Sequence, residues 1–366
     1  MTADWIVVGS GFTGATAARV LAERGLRVVV LERRANVGGN AFDERTADGV
    51  YLHKYGPHLF HTSSERVVKF VTRFASWRPY NHRVLGEHEE LRYPLPPNFV
   101  LVDLLTGRSS RAVQEVLLAT YGAGTRVPLH VLEHHESLDV RDLAGRIREM
   151  VFTPYTRKMW GEHAAELLAS TEARVPFVVG YDEGYFTDSF QAIPADGYSE
   201  FFNRVLDHPR IAVETNHPVG LAALPTAQPV IFTGGLDELL ENRLGSLPYR
   251  SIRFREHVTS ERLPHAATLN FNDGRPQTRV TDMGFTACSK VLSTVWVEET
   301  PEPFRPGANE ALYPIPAARW RDVHNKYVAL LGDSHPNVVV AGRMGRYQYY
   351  DMDQACATAL RIGSQA

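Results

Sequence analysis

The chain has 366 residues, of which 44% are hydrophobic and 22% charged, with a formal net charge of −3. That length accommodates two or three domains at the usual ~100–200 residues each, and the near-balanced charge offers no basic surface for nucleic acid. Only Cys288 and Cys356 are present, too few for a disulfide framework and without metal-ligand spacing, so no metal site is expected and a reducing compartment fits. No apolar run approaches the ~20 residues that span a bilayer, and no basic and apolar leader precedes the first apolar run; a cytoplasmic protein with a small-molecule partner, engaging neither membrane nor nucleic acid, is the expectation.

The chain is organised around Trp5-Ile-Val-Val-Gly-Ser-Gly-Phe-Thr-Gly14. Trp5 to Val8 reads as a buried parallel strand, and the small residues Ala15, Ala17 and Ala18 after Gly14 read as a closely packed helix. Gly9 makes the turn, Gly11 lets the backbone approach a pyrophosphate, and Gly14 lets the helix sit against the strand. The next strand, Arg27 to Leu31, ends at Glu32, where a carboxylate can accept both ribose hydroxyls of a dinucleotide. The loop from Arg33 to Asn40 contains the pair Gly38-Gly39 where a simple NAD enzyme would place a helix, which favours FAD.

His53-Lys-Tyr-Gly-Pro-His58-Leu-Phe-His-Thr62 then fixes His58 on an irregular segment, where active-site groups concentrate, although a histidine taken alone is more often structural. Helical spacing runs from Ser64 to Trp77, with Ser63 or Ser64 as N-cap. Strand-like text covers Tyr80 to Tyr93, and Pro94-Leu-Pro-Pro97 reads as a helix stop and domain boundary. Residues 98–170 read as helical throughout, an inserted lobe. The β-prone runs Phe186–Ala192, Ile211–Glu214, Val230–Thr233, Tyr249–Val258, Ala267–Asn272 and Val291–Glu298 suit an antiparallel sheet. A last strand, Asn337–Ala341, passes through Gly342-Arg-Met-Gly-Arg-Tyr347 into a helix from Asp351 to about Ile362, as if to complete a cofactor site.

The glycine motif, Gly38-Gly39-Asn40, the 53–62 segment, Tyr155-Thr-Arg-Lys-Met-Trp-Gly161, Asp196-Gly-Tyr198, Thr278-Arg279 and Tyr349-Tyr-Asp-Met-Asp-Gln354 occur from end to end in the order of one family. The chain resembles UDP-galactopyranose mutase, a flavoenzyme that interconverts pyranose and furanose forms of a nucleotide sugar. The resemblance implies an α/β fold: a Rossmann-like FAD-binding domain (1–80, about 200–245 and 318–366), an inserted helical lobe (98–170) and an antiparallel sheet domain (about 81–97, 171–199 and 246–317). It implies FAD active in its reduced form, with NAD(P)H or another external donor. It also implies an intramolecular transferase without net redox change, in which reduced flavin N5 attacks the anomeric carbon and displaces the nucleoside diphosphate. Possession of a partner copy is left open, a homodimer being compatible.

Carried over position by position, the resemblance implies cofactor contacts from Gly9, Gly11, Phe12, Thr13, Gly14, Glu32, Arg33, Gly39, Asn40, His58, Leu59, Val219, Arg343, Tyr350, Asp351 and Met352. Arg279, Tyr185, Tyr313 and Tyr349 would hold the departing diphosphate, with Arg174 as helper; bidentate arginine and phenol donors suit that charge. His58 would lie near flavin N5 and Asp351 near flavin or sugar, although Asp351 is also an ordinary helix N-cap. Tyr80, Asp103, Phe152, Tyr155, Thr156, Trp160 and Asn270 complete the implied substrate contacts, the aromatics being equally good as plain core.

The chain departs from the family pattern twice. Where the family carries Arg-x-Pro-x-Arg, this chain has Arg174-Val-Pro-Phe-Val178, so the second, closing arginine is absent or replaced from elsewhere. After Asn98 it has Val-Leu-Val-Asp103-Leu in place of uracil-reaching amides, and a carboxylate suits the adjacent donors of guanine, which raises a GDP-hexose as an alternative to a UDP-hexose. Two rival readings are an FAD-dependent oxidase or desaturase of the amine-oxidase type, which would consume an acceptor stoichiometrically, and a degenerate flavoprotein that binds without turnover.

Overall fold

The computed structural model describes residues 3–365. Five parallel strands form the first sheet in the spatial order Ile211–Glu214, Val28–Leu31, Trp5–Val8, Val230–Phe232, Val338–Val340. The strand order reverses beside Trp5–Val8, and in open parallel sheets the crevice at the carboxyl ends of the strands at that point is where ligands bind. The helix Phe12–Glu23 packs on this sheet through fully buried Ala15, Ala17, Ala18 and Leu21, and the last helix, Met352–Gln365, packs on it in turn. A Cβ on Gly14 would lie 1.9 Å from the Gly9 carbonyl oxygen, so the strand–helix approach demands glycine there.

The second sheet has seven strands, in the order Tyr313–Pro314, Tyr249–Thr259, Thr294–Pro303, Arg279–Asp282, Thr268–Phe271, Val84–His88, Leu91–Leu95. A helical lobe caps one end, its core built from Leu101, Leu117, Leu132, Leu143, Ile147 and Phe177 together with Val84, Tyr93 and Leu95 of the sheet. A three-stranded sheet, Phe60–Thr62, Phe190–Pro194 and Trp77–Pro79, ties residues near 190 back to the N-terminal part of the chain.

Several elements differ from the sequence expectation. The helix expected over 64–77 ends at Val71, because Trp77 begins a strand and packs its ring against Phe60 and Phe190 at centroid distances of 5.0 and 5.7 Å. Ser64 does occupy the N-cap position, without a side-chain cap bond. Pro94 lies inside the strand Leu91–Leu95 and stops no helix; that strand is the edge of its sheet, where a missing N–H costs nothing. Ile211–Glu214 and Val230–Phe232 join the parallel sheet, and Thr268–Phe271 pairs with Val84–His88 in parallel, so the second sheet is mixed. The lobe contains one short strand, Arg126–Val127, paired antiparallel with Phe177–Val178.

Candidate active site

A cavity of about 1190 Å³ opens at the switch point of the parallel sheet. Its walls include Gly9, Gly11, Phe12, Thr13, Gly14, Glu32, Arg33, Gly39, Asn40, His58, Val219, Arg343, Tyr350, Asp351 and Met352, so the structure gathers nearly all of the expected cofactor residues. Leu59 is the exception: its side chain packs with Val50, Leu52, Ile193 and Met283. Gly9 has φ +97°, as its turn requires. A Cβ on Gly11 would approach the Gly39 Cα only to 3.8 Å, so the fold tolerates a side chain there while the cavity would lose its smooth backbone wall.

The residues fit a dinucleotide. Glu32 is buried, and its Oε2 accepts hydrogen bonds from the Ser10 N–H (2.8 Å) and hydroxyl (2.6 Å), while Oε1 accepts from the Arg34 N–H (2.9 Å). A carboxylate has about four lone-pair directions, and these bonds hold Glu32 in place with room left for a ribose hydroxyl. Beside it, the buried Arg34 Nε has no partner, and the Arg34 guanidinium lies 4.2 Å from the Tyr55 ring centroid. Glu310, on the loop between the strands Thr294–Pro303 and Tyr313–Pro314, reaches Arg33 (3.0 Å) and Arg34 (2.8 Å).

His58 projects from the segment fixed by Gly56, whose φ is +91°. Its Nδ1 lies 2.7 Å from the Gly56 carbonyl, which can only accept, so the proton sits on Nδ1 and the Nε2 lone pair is free. Burial, helped by neighbouring His53, pushes its pKa down to about 3, and the ring is neutral at physiological pH.

A second group of side chains stands where the helical lobe meets the mixed sheet. Asn270 and Arg279 are cross-strand partners, and the Arg279 Nε lies 2.8 Å from Oε1 of Glu299, itself almost completely buried. The two groups neutralise each other as a buried ion pair. Burial opposes the Arg279 charge, but Glu299 overcomes it and holds the guanidinium protonated. Tyr313 and Tyr349 stack with centroids 5.9 Å apart at 11°, with Arg343 5.4 and 5.1 Å from the two rings. Arg174 lies 3.7 Å from the Tyr349 centroid and 3.5 Å from Asp351 Oδ1. Burial pushes the phenol of Tyr155 up to about 12 and raises those of Tyr185 and Tyr313 too, so all three are neutral donors at pH 7.

Asp351 precedes its helix as an N-cap would, yet its carboxylate faces Arg174, while Gln354 Oε1 accepts from the Asp351 N–H at 3.1 Å. Trp160 lines the cavity, and Thr156, 1% exposed, has an unpartnered hydroxyl. Phe152 is core of the lobe, and Tyr80 stacks on Phe285 at 4.9 Å. Asp103 is exposed, and its oxygens accept from Gln114 (2.7 Å) and Tyr181 (3.1 Å).

Sequence reasoning missed His82 and Glu299. His82 is buried, its Nδ1 has no partner, and its ring lies 5.7 Å from that of Tyr185; burial, then Arg279, push its pKa down to about 3. No pattern marks it. Glu299 was legible: in Val295-Trp-Val-Glu-Glu299 it takes the inward phase of an alternating strand, behind buried Val295 and Val297. Among the described residues no group of three or more His, Cys, Asp or Glu is placed to hold a metal, and no helix is long and apolar enough to cross a membrane.

The sequence signature of the NAD(P)-binding Rossmann-like domain matches residues 7–74, and that of UDP-galactopyranose mutase matches residues 150–349. A dTDP-fucopyranose mutase of Escherichia coli is 31% identical over 370 residues, covering 97% of this chain and 96% of that one. A probable UDP-galactopyranose mutase of Klebsiella pneumoniae is 30% identical, covering 98% and 94%. The crystal structure of a reduced UDP-galactopyranose mutase shares the fold, with TM-score 0.67 at 14% identity over 100% of this chain and 94% of that one. A cofactor-sized cavity at the switch point, an arginine and tyrosine cluster beside it and these full-length likenesses agree: the chain belongs to the UDP-galactopyranose mutase family and is a mutase, an isomerase.

Proposed function

We propose that the protein interconverts pyranose and furanose forms of a nucleotide-activated hexose, with FAD in the large cavity and no net redox change. One observation carries this reading. Thr156 Oγ1, His82 Nδ1 and Asn270 Oδ1 are buried polar atoms without a hydrogen-bond partner; Asn270 is the cross-strand partner of Arg279, Thr156 follows Tyr155, and the His82 ring lies 5.7 Å from that of Tyr185. Buried polar groups are nearly always satisfied, so these three open atoms beside the arginines and tyrosines support a polar ligand there.

In the reading we favour, the glycine turn and Thr13 face a pyrophosphate, Glu32 takes a ribose hydroxyl, and Arg343, Tyr350 and Met352 close the far wall. When bound and reduced, by NAD(P)H or another donor, the flavin supplies a nucleophilic nitrogen. The chain's own residues do the rest. Arg279 and Arg174 offer fixed positive charge to the diphosphate, and Tyr185, Tyr313 and Tyr349 offer phenol hydrogens, those of Tyr185 and Tyr313 kept in place by burial that opposes ionisation. The neutral His58 presents an Nε2 acceptor for a sugar or cofactor hydrogen. Trp160 and Tyr155 give flat walls that exclude water around the departing phosphate.

Asp103 is bonded to Gln114 and Tyr181, and the two relatives are named for dTDP and UDP; we therefore propose a pyrimidine nucleotide over a GDP-hexose. The three-part division of the chain into cofactor domain, lobe and sheet domain is proposed with it. The test is an anaerobic assay of the purified flavoprotein with UDP-galactopyranose and with dTDP-fucopyranose. Furanose product only after reduction supports the reading, and oxygen-dependent oxidation of either sugar would favour the oxidase alternative.

A further inference from the structure

Tyr185 occupies an irregular stretch between Val178 and Phe190, with glycines at 180 and 184. A phenol on such a backbone can be aimed only if the backbone is fastened from outside. The first half is fastened to the lobe: Phe99 N–H donates to the Gly180 carbonyl (2.9 Å), and Asn98 Nδ2 donates to the Asp182 carbonyl (3.0 Å). The second half is held by a guanidinium. Arg126 donates through one terminal nitrogen to the Gly184 carbonyl (2.6 Å) and through the other to the Tyr185 carbonyl (3.1 Å). Tyr185 N–H in turn donates to the His82 carbonyl at 2.9 Å.

Arg126 also sits directly opposite Val178 in its short strand pair. Its backbone therefore anchors the strand that follows the Arg174 helix, while its side chain anchors the Tyr185 backbone. The nearby carboxylate of Asp182 is turned instead to the Gly184 N–H at 3.0 Å. Spending a partly buried guanidinium on two main-chain carbonyls is costly, since burial lowers its affinity for the proton. Such a cost points to a role beyond packing.

We infer that Arg126 is a positioning residue of the substrate site: its two-pronged grip on the Gly184 and Tyr185 carbonyls aims the Tyr185 phenol at the diphosphate and keeps it in register with Arg174. The inference rests on the assignment of Tyr185 to the diphosphate. Lysine could hold one of the two carbonyls, methionine neither.

The test is a double-mutant cycle on the flavin-loaded protein, reading the Kd of UDP by displacement of a fluorescent UDP probe. Y185F is expected to weaken UDP about tenfold, the worth of one hydrogen bond to a charged group. R126M should weaken UDP by a similar factor when Tyr185 is present and by less than about twofold in the Y185F background, with R126K between. Visible absorbance and thermal melting report whether flavin and fold survive; if R126M does not fold, R126K takes its place in the cycle. Equal effects of the Arg126 change with and without the phenol would overturn the positioning role while leaving the proposed function standing. An unchanged Kd in Y185F would remove the assignment of Tyr185, and this inference with it.

Discussion

Arg279 carries two jobs that can be separated. In the fold it neutralises Glu299, which is 2% exposed and 2.8 Å away; in the proposed chemistry it stabilises a departing diphosphate. Replacing it with methionine keeps most of the side-chain volume and removes the charge, leaving a carboxylate buried alone. Breaking a buried pair from one side costs about 3 kcal/mol or more, which for a chain of this length unfolding as one unit lowers the melting temperature by roughly 4 °C. Turnover should fall by about 10²-fold or more if the charge acts at the transition state. R279M/E299Q removes the stranded carboxylate as well. It should regain most of the lost melting temperature, read by circular dichroism, and none of the lost turnover, read as furanose product by chromatography. Recovery of turnover in the double variant, or near-normal turnover in R279M, would refute the assignment of Arg279 to the leaving group.

Stability should also depend on pH through the buried histidines. Burial holds His53, His58 and His82 at about 3, below their ordinary 6.5. As pH falls through 6.5 the unfolded chain takes up protons that the folded chain refuses, so stability is lost from pH 6.5 downward, at about 1.4 kcal/mol per pH unit for each such histidine; a denaturant midpoint unchanged between pH 7 and pH 5 would contradict it. G11A should fold normally, because its Cβ meets nothing closer than 3.8 Å, yet purify without flavin, whereas G14A, facing a carbonyl at 1.9 Å, should be grossly destabilised. Expression yield, melting temperature and visible absorbance separate the two. D103N should leave the ratio of UDP to GDP affinity unchanged, since Asp103 is turned to Gln114 and Tyr181, and a shift of that ratio by tenfold or more would return Asp103 to the base site.

The cofactor half of the protein was legible because short-range chemistry writes it. A strand, a glycine turn, a helix and an acidic strand end lie within one continuous stretch, and the cavity forms around the residues that spacing picks out. The extent of the Glu32 commitment was not legible, since Ser10 reads as filler until its hydroxyl is seen on the carboxylate. The substrate half is assembled from strands and helices far apart in the chain, and only the family resemblance brought Arg279, Tyr185 and Tyr313 together in advance. Where that resemblance failed, long-range packing decided: Asp103 lies on a helix face that turns outward, and Val178 is a buried strand residue facing Arg126. Helical spacing continues past Val71 as far as Trp77, but an aromatic cluster with Phe60 and Phe190 holds Trp77 in a strand.

In the proposed reaction a reduced flavin held at the switch point serves an isomerisation with no net oxidation. The most direct measurement mixes anaerobic, dithionite-reduced protein with UDP-galactopyranose or dTDP-fucopyranose and follows sugar ring form and flavin absorbance together. Many furanose molecules should form per flavin while the flavin stays reduced, and none from the oxidised protein. Equal turnover by the oxidised protein, or loss of one reducing equivalent with each product formed, would contradict it.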